Sequence, residues 1–163
     1  MSWTLIVAPR IVGIMNPESP PRIAINHDDY HAEHVGKTAD GRQFFLTGPF
    51  VPATNGNAGG EFNALYLFDA DGELISAQVE SFGPRGMFDL AVKQAAYRDL
   101  LEGLGCVTFE RIEVAPFEVE RFGTSFGLIG RDCDDPDDVL AVEVQPGNYM
   151  AFFEPWDSGA YDT

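Results

Sequence analysis

Three turn signals, each set between two β-prone runs, constrain the fold of this 163-residue chain most strongly. Asp40-Gly41 separates HVGKT from RQFFLTG, Asp71-Gly72 separates NALYLF from ELISAQVE, and Pro146-Gly147 separates LAVEV from NYMAFFE. Asp-Gly between β-prone runs is a strong hairpin signal, because both residues tolerate the left-handed backbone of a tight turn. The spacing therefore predicts three antiparallel hairpins.

The second hairpin also predicts how its strands are covered. Its first strand, NALYLF, is apolar on both faces, which indicates a central strand with layers on both sides. Its second strand alternates, with Ile75, Ala77 and Val79 facing inward and polar residues between them. A sheet of hairpins with a further layer packed on it follows from this pattern.

RGMFDLAVKQAAYRDLLEGLG carries the one convincing helical pattern. Its apolar stripe at helical spacing consists of Phe88, Val92, Ala95, Ala96 and Leu100. Gly83-Pro84 precedes it, and Gly103 and Gly105 provide the stop. The sequence predicts an α+β fold, mostly antiparallel β-sheet built from hairpins, with one main helix over about 85–104 packed on a sheet face. The length predicts a single domain, 1–163.

Charge is the clearest bulk feature. Ten basic residues stand against 26 acidic ones, for a formal net charge of −16. Binding to nucleic acid or to an anionic membrane requires the opposite sign, so both partner classes are disfavoured. A cationic partner would be attracted, although high net charge also serves solubility alone.

No apolar run approaches the length of a membrane span. The opening MSWTLIVAPR has a short apolar run with no basic segment before it, and Pro9 and Arg10 end it. That pattern differs from a signal peptide, so we expect a cytoplasmic protein.

All three histidines lie in NHDDYHAEH, residues 26–34. If this segment were helical, His27, His31 and His34 would share one face, with Asn26 as the cap. HDDYH would then resemble the paired-histidine pattern of zinc proteases. If the segment were extended from Tyr30, the histidines would diverge and form a polar lead-in to the next strand. The metal interpretation predicts zinc or another divalent ion held by the three imidazoles, and the other predicts no cofactor.

GTSFG, residues 123–127, matches the short motif that surrounds the nucleophile of serine hydrolases. That motif requires a strand before the serine and a helix after it, with a histidine later in the chain. A strand and an acidic loop follow here, and no histidine follows Ser125. The sequence offers no catalytic set, and a non-enzymatic protein is the favoured prediction.

Acidic residues concentrate at the end of the chain, where residues 131–163 hold nine acids and one base. The loop DCDDPDD contains Asp132, Asp134, Asp135, Asp137 and Asp138. The acidic tail, about 154–163, combines Glu154, Asp157 and Asp162 with Trp156 and Tyr161. Aromatic rings flanked by carboxylates suit contact with a basic partner. Alternatively, the two aromatic residues dock the tail on the sheet while the carboxylates stay solvated.

DGRQFFLTGPF, ALYLFDADGELISA and PGNYMAFFEPWDSGAYDT resemble segments of a group of uncharacterised bacterial single-domain proteins. The resemblance covers most of the chain. It implies a bacterial cytoplasmic origin, but it implies no activity and transfers no functional residues.

Three functional hypotheses follow. The leading one is a binding protein that engages a basic protein through its acidic surface, as an immunity or inhibitor protein would in the cleft of a nuclease or toxin. The second is a metal-binding protein or metal-dependent enzyme that uses the three histidines. The third is small-molecule binding in a pocket between helix and sheet.

Overall fold

The computed structural model describes residues 20–131 and 140–163. Its elements, in chain order, are β1 (Ile23–Ile25), β2 (Val35–Thr38), β3 (Gln43–Thr47), β4 (Phe50–Val51), β5 (Gly60–Phe68), β6 (Leu74–Ser81), α1 (Leu90–Glu102), β7 (Val107–Phe109), β8 (Ile112–Val114), β9 (Phe117–Arg121), β10 (Thr124–Gly130), β11 (Val142–Gln145) and β12 (Ala151–Phe152).

Antiparallel pairing joins these strands into three sheets. The largest has six strands, ordered β4-β5-β3-β2-β7, with β6 also paired to β5. A four-stranded sheet has the order β12-β11-β10-β9, and β1 pairs with β8. The three predicted hairpins are present as β2–β3, β5–β6 and β11–β12. The prediction of a mostly antiparallel sheet fold is confirmed for the described residues.

The main core lies between the six-stranded and four-stranded sheets. Tyr66 of β5 packs edge-on against Phe117 of β9, with ring centres 4.7 Å apart. Phe62 packs in the same way against Phe126 of β10, at 5.0 Å. All four side chains are buried, so aromatic edge-to-face contacts tie the two sheets together.

The opposite face of the six-stranded sheet carries the helix. Phe44, Leu46 and Leu65 are buried there, and side chains of α1 such as Tyr97 and Leu100 pack against them. The prediction that β5 is covered on both faces is confirmed. No helical side chain is fully buried, so this layer is thinner than the main core.

The helix is shorter than the predicted 85–104. Asp89 has an extended backbone and its side chain accepts the N–H of Val92 at 3.2 Å, which starts the helix at Leu90. Gly103 follows the last residue, as predicted. The predicted stripe was partly wrong, because Val92 is 55% exposed and Ala95 is also exposed.

β6 also departs from the predicted alternation. Leu67 pairs with Ser76 and Phe68 with Leu74, so Ile75 is the extra residue of a β-bulge near the start of β6. Leu74 therefore takes the core position and Ile75 becomes 40% exposed. Ala77 and Val79, beyond the bulge, are buried as expected.

Candidate functional site

Residues 26–34 form turns, and neither the helical nor the extended alternative holds. The Asp28 carboxylate accepts the backbone N–H groups of Tyr30 and Ala32, at 2.9 and 3.0 Å. The Asp28 N–H in turn donates to the Ala32 carbonyl. This local bonding gives the backbone an alternative to the helix that would have aligned the histidines.

His27 and His34 both contact the Phe109 ring, whereas His31 contacts other rings. The ring of His27 stacks on Phe109, with centres 5.5 Å apart. His31 lies between the rings of Tyr30 and Tyr149. In the described parts of the chain, no group of three or more histidine, cysteine or acidic side chains is arranged to hold a metal ion.

His34 belongs to a hydrogen-bonded chain that reaches the helix. Its Nδ1 lies 2.6 Å from the hydroxyl of Tyr97, and that hydroxyl donates to the Leu46 carbonyl at 3.2 Å. A phenol has one proton, so a hydroxyl that donates to Leu46 accepts from Nδ1–H. These two hydrogen bonds fix the tautomer of the His34 imidazole and connect its turn to α1.

The acidic tail docks against the histidine segment. The Ala24 N–H donates to the Trp156 carbonyl at 2.9 Å, and the Asn26 N–H donates to Gly159 at 3.1 Å. The Tyr161 hydroxyl donates to the Asp28 carboxylate and accepts the His31 N–H. Gly159 has φ +79° and contacts Asn26 so closely that a Cβ would overlap its side chain.

Docking places six carboxylates on two segments that lie side by side. We call this set the acidic face: Asp28, Asp29, Glu33, Glu154, Asp157 and Asp162. Asp28 is half-buried and the other five are exposed. Neither segment contains a Lys or Arg, and no described Lys or Arg side chain forms an ion pair with any of the six. Trp156 and Tyr161 pack against the core, as the docking alternative predicted. The carboxylates of the tail remain exposed.

Asp28 carries its charge despite partial burial. Burial alone would raise the pKa of this carboxyl group. Hydrogen bonds from the Tyr161 hydroxyl and the backbone N–H groups of Tyr30 and Ala32 outweigh burial, so its pKa lies below the ordinary value. The remaining predicted partner residues, Asp132, Asp134, Asp135, Asp137 and Asp138, lie outside the described residues.

A cleft of about 160 Å³ opens beside the acidic face. We call it the aromatic cleft, and its lining residues are Tyr30, His31, Glu33, Thr47, Gly48, Phe50, Tyr97 and Tyr149. The histidine turn, the end of β3, β4, α1 and the last hairpin each contribute to it. The cleft thus forms where the two sheets and the helix meet.

Four rings make successive contacts along the cleft, and we call this series the ring column. The ring centres of Tyr30 and His31 are 3.9 Å apart, those of His31 and Tyr149 are 5.1 Å apart, and those of Tyr149 and Phe50 are 5.8 Å apart. The guanidinium carbon of Arg85 lies 4.1 Å from the centre of the Phe50 ring and caps that end. At the other end, Tyr30 is 63% exposed.

Burial keeps the rings of the cleft uncharged near neutral pH. It lowers the pKa of His31, an effect that Asp28 partly opposes, and it also lowers the pKa of His34. Burial raises the pKa of Tyr97 and Tyr149 well above the ordinary value for a phenol. The cleft therefore offers neutral π surfaces and hydroxyl groups, with Glu33 at its edge.

One cation lies on the helix side of the cleft. A Cβ added to Gly48 would lie 3.1 Å from the Nζ of Lys93. Burial lowers the pKa of Lys93, and Glu61 partly opposes that shift. Lys93 therefore places one cation beside Gly48, which lines the cleft.

A second cavity, of about 490 Å³, contrasts with this region. We call it the basic cavity, and its lining residues are Arg22, Lys37, Gln43, Ala70, Asp71, Arg111 and Glu113. Each of its cations has a carboxylate partner: Arg22 with Glu73 at 2.9 Å, Lys37 with Glu110 at 3.3 Å and Arg111 with Glu113 at 3.3 Å. Local pairing leaves this cavity with little free positive charge.

Sequence reasoning missed most of the cleft. Thr47, Phe50, Tyr97 and Tyr149 were not predicted to be functional, and they lie on β3, β4, α1 and the connection between β11 and β12. Thr47 and Tyr149 join through hydroxyl groups 2.6 Å apart across 102 residues of chain. Within the sequence, the only signal was the aromatic content of the histidine segment and of NYMAFFE.

No protein-family model, curated protein or solved structure matches this chain. The resemblance to uncharacterised bacterial proteins, and the cytoplasmic origin that it implies, therefore stay predictions. In the described residues, no helix is long and apolar enough to cross a membrane.

Proposed function

We propose that this protein binds a basic protein partner through its acidic face, and that it acts by occupying the partner's cationic surface. The single observation that supports the proposal is the six-carboxylate face itself. Two segments more than 120 residues apart come together there, and neither contains a Lys or Arg. The Arg111 guanidinium bridges them, but it donates to the Asn26 side chain and the Asp157 carbonyl and forms no ion pair with a carboxylate of the face. Around the basic cavity, by contrast, each cation is paired locally with an acid.

The charge pattern favours association with a cation over a purely structural role. Carboxylates that bring no ion pair to the fold repel one another, and a basic partner relieves that repulsion when it binds. Long-range attraction would also speed the encounter at low salt. An immunity- or inhibitor-like protein that covers the basic cleft of a nuclease or toxin is the concrete version of this proposal.

The size of the aromatic cleft supports a protein partner over a small molecule. Small-molecule sites typically enclose about 300–1,000 Å³, and this cleft has about 160 Å³. That volume equals the share of about five water molecules in the liquid. It suits the end of one partner side chain better than a cofactor.

The proposal is tested with a fluorescent octalysine peptide, titrated at low and at moderate NaCl. One variant neutralises three acids of the acidic face: Asp29→Asn, Glu33→Gln and Asp157→Asn. A matched variant neutralises three acids beside the basic cavity: Glu73→Gln, Glu110→Gln and Glu113→Gln. Both change the net charge equally. We expect the first to lose about tenfold in affinity and the second less than about threefold.

Two outcomes would contradict the proposal. Equal losses in the two variants would mean that net charge, and not the acidic face, attracts the peptide. Absence of binding by the wild-type protein at low salt would remove the basic partner altogether. Circular dichroism of both variants confirms that each is folded before the affinities are compared.

A further inference from the structure

The ring column ends differently on its two sides. At one end the Arg85 guanidinium lies over the Phe50 ring, 4.1 Å from its centre, while the Nε of Arg85 pairs with Glu61 at 3.1 Å. At the other end, the Tyr30 ring lies 3.9 Å from the His31 ring, tilted by 30°, and remains 63% exposed. In the described structure, His31 is the one ring that contacts Tyr30.

The chemistry around the exposed end repeats that of the capped end. At Phe50, an aromatic ring and a carboxylate share one guanidinium. At Tyr30, an exposed aromatic ring lies in the same turn as Asp29 and Glu33, two exposed carboxylates without a Lys or Arg partner among the described residues. A ring with adjacent carboxylates attracts a cation through both its quadrupole and their charge.

We propose that the exposed ring of Tyr30 is the seat for an arginine guanidinium of the basic partner, with Asp29 and Glu33 as its carboxylate contacts. This inference rests on the proposed function and names the group that the acidic face recognises. Tyr30 becomes an anchor residue of the interface, and the other acids supply attraction at longer range. The guanidinium extends the column of rings by one more layer.

Arginine fits this seat better than lysine. A guanidinium is planar and weakly hydrated, so it stacks on a ring and still donates two parallel hydrogen bonds to a carboxylate. An ammonium group is a compact, strongly hydrated charge that gains less from stacking. The neutral state of His31, whose pKa burial lowers, removes a charge that would otherwise oppose the incoming cation.

Two peptides of equal charge, octa-arginine and octalysine, separate this inference from the proposed function. For the wild-type protein we expect octa-arginine to bind about fivefold more tightly than octalysine. Tyr30→Leu keeps a side chain of moderate size without the π surface, and it should remove that preference while the octalysine affinity changes less than about twofold. Phe122→Leu is the matched control, because Phe122 is also an exposed aromatic residue, 51% exposed, outside the cleft.

The outcomes are distinct. Equal affinity of the wild-type protein for the two peptides, or an unchanged preference in Tyr30→Leu, would overturn the arginine seat while leaving the acidic face in place. Loss of preference in Phe122→Leu as well would also overturn it, because the effect would then be unspecific. Failure of both peptides to bind would contradict the proposed function instead. Melting curves of the two variants show whether each keeps the wild-type fold.

Discussion

The acidic face and the basic cavity are neighbours that differ in whether their charged side chains form ion pairs. Arg111 links them, since its Nη2 donates to the Asp157 carbonyl at 2.6 Å while it lines the cavity. In the cavity every cation has a carboxylate within 3.3 Å. On the face, no carboxylate pairs with a described Lys or Arg. The contrast shows that three of the ten bases are paired with acids around the cavity, whereas the six carboxylates of the acidic face form no ion pair with a described Lys or Arg.

The cavity also differs in how its centre is built. Gln43 is 4% exposed, and its amide donates to the carbonyls of Asp69 and Glu113 and accepts the Glu113 N–H. These bonds connect β3 to the β5–β6 turn and to β8. The cavity is therefore part of the framework, whereas the acidic face is made of turns and a docked tail.

Replacement of Gln43 should have the largest effect on stability. If it had none, the contrast between the two regions would be contradicted. Gln43→Leu leaves two carbonyl groups and one N–H without their partner, which should lower the free energy of unfolding by about 3 kcal/mol. Urea denaturation measures the change. Gln78→Leu is the matched control, with an expected change within about 0.5 kcal/mol. A neutral Gln43→Leu would show that the cavity is not a framework element.

The bond between Asp28 and Tyr161 comes next, because it fastens the tail to the histidine turn. Tyr161→Phe and Asp28→Asn should each cost about 1–2 kcal/mol in unfolding free energy. The double variant should cost less than the sum, with a coupling energy of about 1 kcal/mol. Additive effects in the same urea experiments would mean that the two side chains act independently and that the tail is held by other contacts.

Salt should sharpen the contrast between the two regions. The Debye length is about 10 Å at 0.1 M, so added NaCl screens repulsion between exposed carboxylates. We expect the melting temperature at pH 7 to rise by about 2–4 °C on going from low salt to a few tenths molar NaCl, which corresponds to about 1 kcal/mol. The variant with the acidic face neutralised at Asp29, Glu33 and Asp157 should rise less. Equal rises in this variant and the wild-type protein would place the repulsion elsewhere.

Protonation of the histidine segment should give the smallest effect. Burial lowers the pKa of His34 in the folded protein, while the unfolded chain takes up this proton near pH 6.5. Below that pH the unfolded state binds more protons, so the stability contribution of neutral His34 is present above about pH 6.5 and is lost as pH falls toward the folded pKa.

Urea denaturation at pH 7.5 and at pH 5.5 measures this loss. The decrease in unfolding free energy should be larger for the wild-type protein than for His34→Gln, and the carboxylates common to both proteins cancel in the comparison. An equal decrease in the two proteins would show that His34 titrates in the folded state as it does in the unfolded chain.

Local sequence signals were sufficient to predict the three hairpins but not the irregularities of their strands. Asp-Gly turns set the first two hairpins because the backbone that they favour matches the twist of paired strands. The bulge that turns Ile75 outward depends on pairing between β5 and β6, which leaves no local mark. The predicted start of the helix was five residues too early. The sequence after Gly83 fits a helical pattern, but Asp89 caps the helix and starts it at Leu90.

The candidate site was predictable only where its residues are close in sequence. The histidine segment and the tail were both singled out, yet their contact through Asp28 and Tyr161 spans 133 residues. The Asp28 carboxylate accepts hydrogen bonds from the local backbone, which disfavours the helix on which the metal interpretation depended. Tertiary packing, which a periodic pattern does not encode, then brings Phe50 and Tyr149 to the same cleft.

The central claim is that the unneutralised face, rather than net charge, binds a basic partner. Two-dimensional ¹H–¹⁵N NMR of the wild-type protein during titration with octa-arginine tests it most directly, because each backbone amide reports its own surroundings. We predict that the largest shift changes fall in residues 26–34 and 154–163, with small changes around Arg22, Lys37 and Asp71, which line the basic cavity. Changes spread evenly over the surface, or concentrated at the basic cavity, would contradict the account.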